Sequence, residues 1–193
     1  KKFTINWKKL FCFAAIVAGV GVLTVGVLTF LAVKDAPKID PDNIYDMLSE
    51  NSVIYDTEGN IVDNVYRGDS LRTNIEYQQL PQDLIDAFIS IEDKTFEDHH
   101  GFNIIRIFGA IWESIKTGDK ISGTSTITQQ LARNLYLTDT KSERSMVRKV
   151  REAYYTVILE RALSKEQILE AYLNTIYLGF NSNGVQAASQ AYF

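Results

Sequence analysis

The stretch PQDLIDAFISIEDKTFEDHHG, Pro81–Gly101, decides how the chain is read. Pro81 suits a first helical position, because its φ is pre-set and it has no N–H to leave unpaired. Leu84, Ile85, Phe88 and Ile91 follow at three- and four-residue spacing, which makes one apolar helical face. That helix runs directly into Glu92, Asp93, Glu97 and Asp98, with His99 and His100, the two histidines of the chain, beside them. Taken alone, such a cluster is a solvated helix terminus in which the histidines assist the C-terminal cap. Taken as chemistry, it sets a carboxylate at a cleft wall, where it can accept a proton. Adjacent histidines point apart on a helix, and no spaced His or Cys partner exists for them, so a zinc site is not expected.

Downstream the helical pattern continues. Residues 102–116 carry Ile104, Ile105, Phe108, Ile111, Trp112 and Ile115 on one stripe, widened by Phe102 and Ile107. Such a stripe either faces a core or lies in a bilayer interface. Residues 126–137 and 145–163 are further helix candidates. Ser164 with Gln167 forms a capping-box pattern opening a helix to about Asn174. The turn Asn181-Ser182-Asn183-Gly184 precedes a last helical stretch. The predicted fold is mainly α.

Upstream, Ser52–Tyr55 and Ile61–Tyr66 are short β-prone runs around Asp56-Thr57-Glu58-Gly59-Asn60, a hairpin signal in which Gly59 supplies the positive φ. Residues 34–50, with Pro37 and Pro41, read as a stalk. From Leu10 to Val33 no charge occurs. As a helix this run spans roughly 36 Å, enough for a hydrocarbon core of about 30 Å with some tilt. It exceeds the apolar part of a cleaved leader and lacks a small-x-small cleavage site, so a transmembrane anchor is expected. Lys1, Lys2, Lys8 and Lys9 precede it, which favours an N-terminus in the cytoplasm and everything after Val33 outside. The expected organisation is a cytoplasmic tail at 1–9, a transmembrane helix at 10–33, the stalk at 34–50, a β-hairpin region at 51–74 and a catalytic domain at 75–193. The chain has 193 residues, opens on Lys1 and closes in mid-pattern at Phe193, so both ends are expected to be cuts. Its one cysteine, Cys12, lies in the apolar run and excludes an intrachain disulfide. A net charge of −4 argues against nucleic acid as a partner.

Two more segments carry chemistry. Gly123-Thr124-Ser125-Thr126-Ile127-Thr128-Gln129-Gln130 packs hydroxyls and amides into a loop that enters a helix. The plain explanation is an N-cap; the functional one is a donor-rich helix N-terminus suited to phosphate or sugar oxygens. Between Arg133 and Arg151 lie six basic residues, Arg133, Lys141, Arg144, Arg148, Lys149 and Arg151, against Asp139 and Glu143. Arg148 and Lys149 share a helical face with Glu152. This is either a surface ion pair or a carboxylate embedded in a cationic site for a polyanion such as pyrophosphate.

In order, these segments resemble the motifs of the family-51 glycosyltransferases, the polymerising domain of class A penicillin-binding proteins and monofunctional glycosyltransferases. Glu92, Asp93, Phe96, His99 and Gly101 resemble E-D-x-x-F-x-x-H-x-G. Gly123, Ser125, Thr126, Thr128, Gln129 and Gln130 are similar to G-x-S-T-x-T-Q-Q, and Arg148, Lys149 and Glu152 to R-K-x-x-E. Lys165, Ile168, Leu169, Glu170, Tyr172, Leu173, Asn174, Tyr177 and Gly179 resemble a structural fourth motif, and Gly184, Ala187, Ala188, Tyr192 and Phe193 begin a fifth. Arg133 departs from the family's usual Lys, replacing a point charge with a fork.

The resemblance implies a lysozyme-like glycosyltransferase domain that stops, at Phe193, before the helices that normally complete it. It implies a membrane enzyme joining lipid II molecules into a glycan strand, with inversion at MurNAc C1 and release of undecaprenyl pyrophosphate. Glu92 is the implied base, and Glu152 a second catalytic carboxylate that either steadies the cations or helps ligate a divalent ion bridging the phosphates. Phe96, Ser125, Thr126, Gln129, Gln130, Arg133, Arg144, Arg148 and Lys149 are the implied substrate contacts; Asp93, His99, Gly101, Gly123 and Asn174 are structural. No obligatory cofactor follows, with Mg or Mn as an optional divalent cation. The implied partners are lipid II, the growing strand, the lipid bilayer and proteins of cell division or elongation. A lytic glycan-cleaving enzyme of the same shape and an inactive membrane scaffold are the rival readings.

Overall fold

The computed structural model describes residues 7–34, 36, 44, 48, 52–65, 71–121, 123–138 and 146–193. Arg144, Lys141, Tyr66, most of the tail and most of the stalk lie outside these residues. The helices are α1 (Trp7–Val33), α2 (Gln82–Glu92), α3 (Ile104–Thr117), α4 (Ile127–Tyr136), α5 (Met146–Ala162), α6 (Lys165–Thr175) and α7 (Val185–Tyr192).

The expected helices form close to their predicted bounds because caps and apolar spacing agree. Thr126 caps α4 and Ser164 caps α6, each in a reciprocal capping box with Gln129 and Gln167. Pro81 stands at the N-cap of α2 rather than inside it, its carbonyl accepting from Leu84 and Ile85. Strands β1 (Ser52–Tyr55) and β2 (Ile61–Val65) make the predicted antiparallel hairpin. Asp56 closes its turn by accepting from the Glu58 and Asn60 amides at 2.8 Å each, and Gly59 has φ 87°.

The core forms around α4, which packs between α5 and α6. Its inward side carries Ile127, Leu131, Ala132 and Leu135, meeting Tyr155 and Leu159 of α5 and Ile168, Leu169 and Tyr172 of α6. Each fully buried Leu or Ile contributes about 1.5–3 kcal/mol relative to exposure. Ile44 and Leu48 join this core, so the segment read as a stalk also supplies packing; their four-residue spacing was the available signal.

A second difference lies at β3 (Leu71–Arg72), at the end of the region read as hairpin, which pairs in parallel with β4 (Ser182–Asn183), within the segment read as a turn. Two-residue strands are too short to show a period. Asn174 fastens the same region, its side chain donating to the Ile75 carbonyl and accepting from the Ile75 amide, both at 2.9 Å. Gly184 (φ 91°) passes over α6 so closely that a Cβ would lie 3.0 Å from the Asn174 carbonyl oxygen.

Two helices are not wrapped by the core. α1 runs 27 residues, and Phe11–Val33 is long and apolar enough to cross a membrane. Its last turn touches α5, where Arg151 Nε donates to the Ala32 carbonyl at 2.8 Å, satisfying one of the orphan acceptors of that helix end. α3 has no buried residue. Ile105, Phe108, Trp112 and Ile115 are 87%, 68%, 60% and 72% exposed, whereas Phe102, Ile107 and Ile111 of the same stripe are half-buried.

Candidate active site

Glu92 closes α2 and is half-buried. Its Oε2 accepts from Gln130 Nε2 at 2.8 Å, and Gln130 Oε1 accepts from the Tyr172 hydroxyl at 3.3 Å. Burial, with Glu92 nearby, pushes the Tyr172 phenol well above its ordinary value. The phenol therefore stays protonated and can donate, which fixes the Gln130 amide with its NH2 toward the carboxylate. Arg106 of α3 donates to the Glu92 carbonyl at 2.8 Å and ties the base of α3 to the same corner.

The loop after Glu92 is built on Asp93, which is completely buried. Its carboxylate meets His99 Nε2 at 2.9 Å and accepts from the Ile127 amide at the first turn of α4 at 3.2 Å, where a negative charge also suits the helix dipole. Thr126 donates its hydroxyl to the Gly101 carbonyl at 2.8 Å. Gly101 has φ 85°, and a Cβ there would sit 2.6 Å from Thr156 Cγ2. Asp93, His99 and Gly101 thus hold the acidic loop against α4 and α5.

One turn along α4 from Gln130 stands Arg133, whose NH1 is 3.9 Å from Glu152 Oε2. Glu152 is 1% exposed and also pairs with Lys149 through Oε1. Lys149 Nζ reaches Ser125 Oγ at 3.2 Å. Residues three apart on a helix have Cβ atoms about 5–6 Å apart. The Glu92–Gln130 pair and the Arg133–Glu152–Lys149–Ser125 cluster are therefore neighbours across a single turn of α4. Arg148 is half-buried on the turn preceding Glu152. Gly123 opens the loop with φ 68° and open space where its Cβ would be.

Three expected substrate contacts are placed otherwise. Gln129 is buried, with its amide turned back to the Thr126 N–H at 3.0 Å, and Thr126 is fully buried as the cap. Phe96 is fully buried, edge-on to His99 and beneath the Lys165 ammonium at 4.5 Å. All three spend their polar or aromatic contacts on the protein itself, so they shape the site from behind. Sequence reading also passed over Tyr172 as a site residue and Glu160 as a partner of Thr128 (2.5 Å) and Lys165 (3.0 Å). Tyr172 is marked only as part of the structural fourth motif, and nothing local marks Glu160.

Glu152 directs its two carboxylate oxygens at two cations of the protein. Lys149 meets Oε1, and Arg133 NH1 stands 3.9 Å from Oε2. Among the described residues no group of three His, Cys, Asp or Glu could hold a metal.

The transglycosylase family model matches residues 58–193. The penicillin-binding protein 1A of Clostridium tetani is 45% identical over 186 residues, covering 94% of this chain and 22% of that protein. That of Clostridium acetobutylicum is 42% identical over 199 residues, covering 100% and 24%. That of Haemophilus influenzae is 45% identical over 146 residues, covering 76% and 16%. The chain spans roughly a fifth of the length of these curated relatives.

Proposed function

The chain belongs to the transglycosylase family, whose fold is lysozyme-like, and from that premise we propose that it is a peptidoglycan glycosyltransferase polymerising lipid II at the outer face of the membrane. The carrying observation is the pair of unlike sites on successive turns of α4. One is a carboxylate oriented by an amide, Glu92 with Gln130; the other is a cationic cluster at Lys149 and Arg133.

An alcohol is a weak nucleophile at neutral pH, so a positioned base must take its proton as the bond forms. Glu92 takes the proton of the acceptor GlcNAc 4-hydroxyl. The freed oxygen attacks C1 of the donor MurNAc from the face opposite the pyrophosphate, and configuration inverts. The C1–O bond electrons leave with undecaprenyl pyrophosphate, whose growing charge meets Lys149, Arg133 and Arg148, with the Ser125 hydroxyl beside them. Charges fixed in place before the reaction favour the transition state over the ground state. Glu152, buried between two of these cations, keeps them directed at the leaving group. Cleavage of a glycan strand would release no such anion, which favours synthesis over lysis.

The membrane reading rests on the exposed apolar faces. α1 spans the bilayer with its N-terminus inside, and α3 lays Phe108 and Trp112 into the interface, bringing the site to the lipid-linked substrate.

The decisive experiment is lipid II polymerisation by the full protein and by Glu92→Gln. The variant should lose about 10²–10⁴-fold in kcat while still binding lipid II. Near-normal turnover would remove Glu92 as the base.

A further inference from the structure

Glu92 ends α2, so its carbonyl is one of the last four of that helix and has no intrahelical partner. Arg106 NH1 of α3 donates to it at 2.8 Å, and a cation there also suits the negative end of the helix dipole. The chain leaves the helical conformation at the next residue, Asp93, with φ −157° and ψ 75°. Gln130 of α4 holds the Glu92 carboxylate and Arg106 of α3 holds its backbone, so the base is fixed at two points by two different helices. Arg106, Ala110 and Ser114 lie on the half-buried side of α3, opposite Phe108, Trp112 and Ile115. Asn103, the N-cap of α3, donates to Thr95 Oγ1 at 2.6 Å and accepts from the Arg106 amide at 2.8 Å. Two clefts, about 190 Å³ and 560 Å³, open at this junction, and Asn103 and Arg106 line both. Side-chain hydrogen bonds thus join α3 to the acidic segment where packing leaves space.

Resting on the reading of Glu92 as the base and of α3 as an interfacial helix, we propose that Arg106 is a positioning residue that carries the seating of α3 in the bilayer surface to Glu92. It acts through the Glu92 backbone rather than on substrate. An amphipathic helix takes its depth from the lipid surface that receives its apolar face. α3 has no buried residue, so the core alone does not fix it. Lipid covering Phe108, Trp112 and Ile115 sets the helix, and Arg106 is set with it. A charge-assisted hydrogen bond is directional and roughly twice as strong as a neutral one. Its loss frees the Glu92 end of α2 while Gln130 still holds the carboxylate. The enzyme is therefore most active with α3 seated, which confines polymerisation to the surface where the lipid-linked substrate lies.

Two measurements on the full protein in vesicles test this, with α1 keeping every variant in the bilayer. The first is a double-mutant cycle in lipid II polymerisation. Arg106→Met keeps the aliphatic stem and removes the donors; the pair Phe108→Ser, Trp112→Ser unseats α3. Arg106→Met should lower kcat about ten- to hundredfold, the size of a charge-assisted hydrogen bond, with KM for lipid II unchanged. The serine pair should also lower kcat, and all three changes together should lower it no further than Arg106→Met alone. Losses that multiply in the combined variant, or a raised KM at constant kcat in Arg106→Met, overturn the proposal; the loss in Glu92→Gln, and with it the reading of the base, would stand. The second follows hydrogen exchange of the Asp93 and Phe96 amides, which bond to the Ile89 and Asp93 carbonyls. The serine pair should speed their exchange about tenfold or more, with the amides of α6 unchanged. Unchanged exchange at Asp93 and Phe96, or equal acceleration throughout α6, overturns the coupling even where Arg106→Met fails to fold. If wild type does not polymerise lipid II, the glycosyltransferase reading falls, while exchange still decides whether α3 acts on the Glu92 end of α2.

Discussion

Gln130 donates its side-chain amide to Glu92 at 2.8 Å and takes a hydrogen bond from Tyr172 at 3.3 Å, so a buried phenol on α6 sets the direction of a carboxylate at the end of α2. Tyr172→Phe removes the donor that fixes the amide but leaves the ring packed against Phe88, 6.2 Å away. The expected result is a fall in kcat of about two- to tenfold, the size of one neutral hydrogen bond, with KM for lipid II unchanged. A rise in KM at constant kcat would place Tyr172 in substrate binding instead.

Lys149 and Glu152 form a partly buried pair, the lysine side chain 45% exposed and the glutamate 1%. Lys149→Ala leaves a buried carboxylate with Arg133 at 3.9 Å as its remaining ion-pair partner, at a cost of about 1–3 kcal/mol. Adding Glu152→Gln removes the uncompensated charge. Denaturant unfolding should show the double variant more stable than Lys149→Ala alone, while lipid II polymerisation stays lost in both. Equal destabilisation by the two changes, summed in the double variant, would show that the residues do not interact.

Gly101→Ala forces a Cβ to 2.6 Å from Thr156 Cγ2 at φ 85°. Strain and overpacking together should cost about 2–4 kcal/mol, read as a lowered Tm. Thr156→Ser in the same chain deletes the clashing methyl and should recover part of the loss but not the part due to backbone strain. Full recovery would mean that φ contributes nothing.

The α3 face is exposed at Phe108 and Trp112. An environment-sensitive fluorophore at Phe108→Cys, in a Cys12→Ser background, should be reached by quenchers carried on lipid acyl chains when the protein is in vesicles. The same label at Lys120→Cys, three residues past the end of α3, should not. A label at 108 quenched only from the aqueous phase would remove α3 from the bilayer.

Much of this architecture is written locally. The apolar run to Val33, the Ser164–Gln167 box and the Asp56–Gly59 turn each carry their own physical cause within a few residues, so they form where the sequence puts them. The ordered motifs likewise mark Glu92, Lys149 and Glu152 without any fold.

What the sequence could not decide is which polar residue faces which way. Gln129 and Gln130 are identical neighbours about 100° apart on one helix; one turns back to cap α4 and the other reaches Glu92. Thr126 and Ser125 divide similarly, the first into the interior and the second toward Lys149. These choices depend on where α2, α5 and α6 press against α4, contacts between residues far apart in the chain. The same long-range packing buries Ile44 and Leu48, pairs Leu71 with Ser182 and leaves the α3 stripe uncovered. Sequence periodicity defines a helix's faces; only its neighbours determine which face is inside.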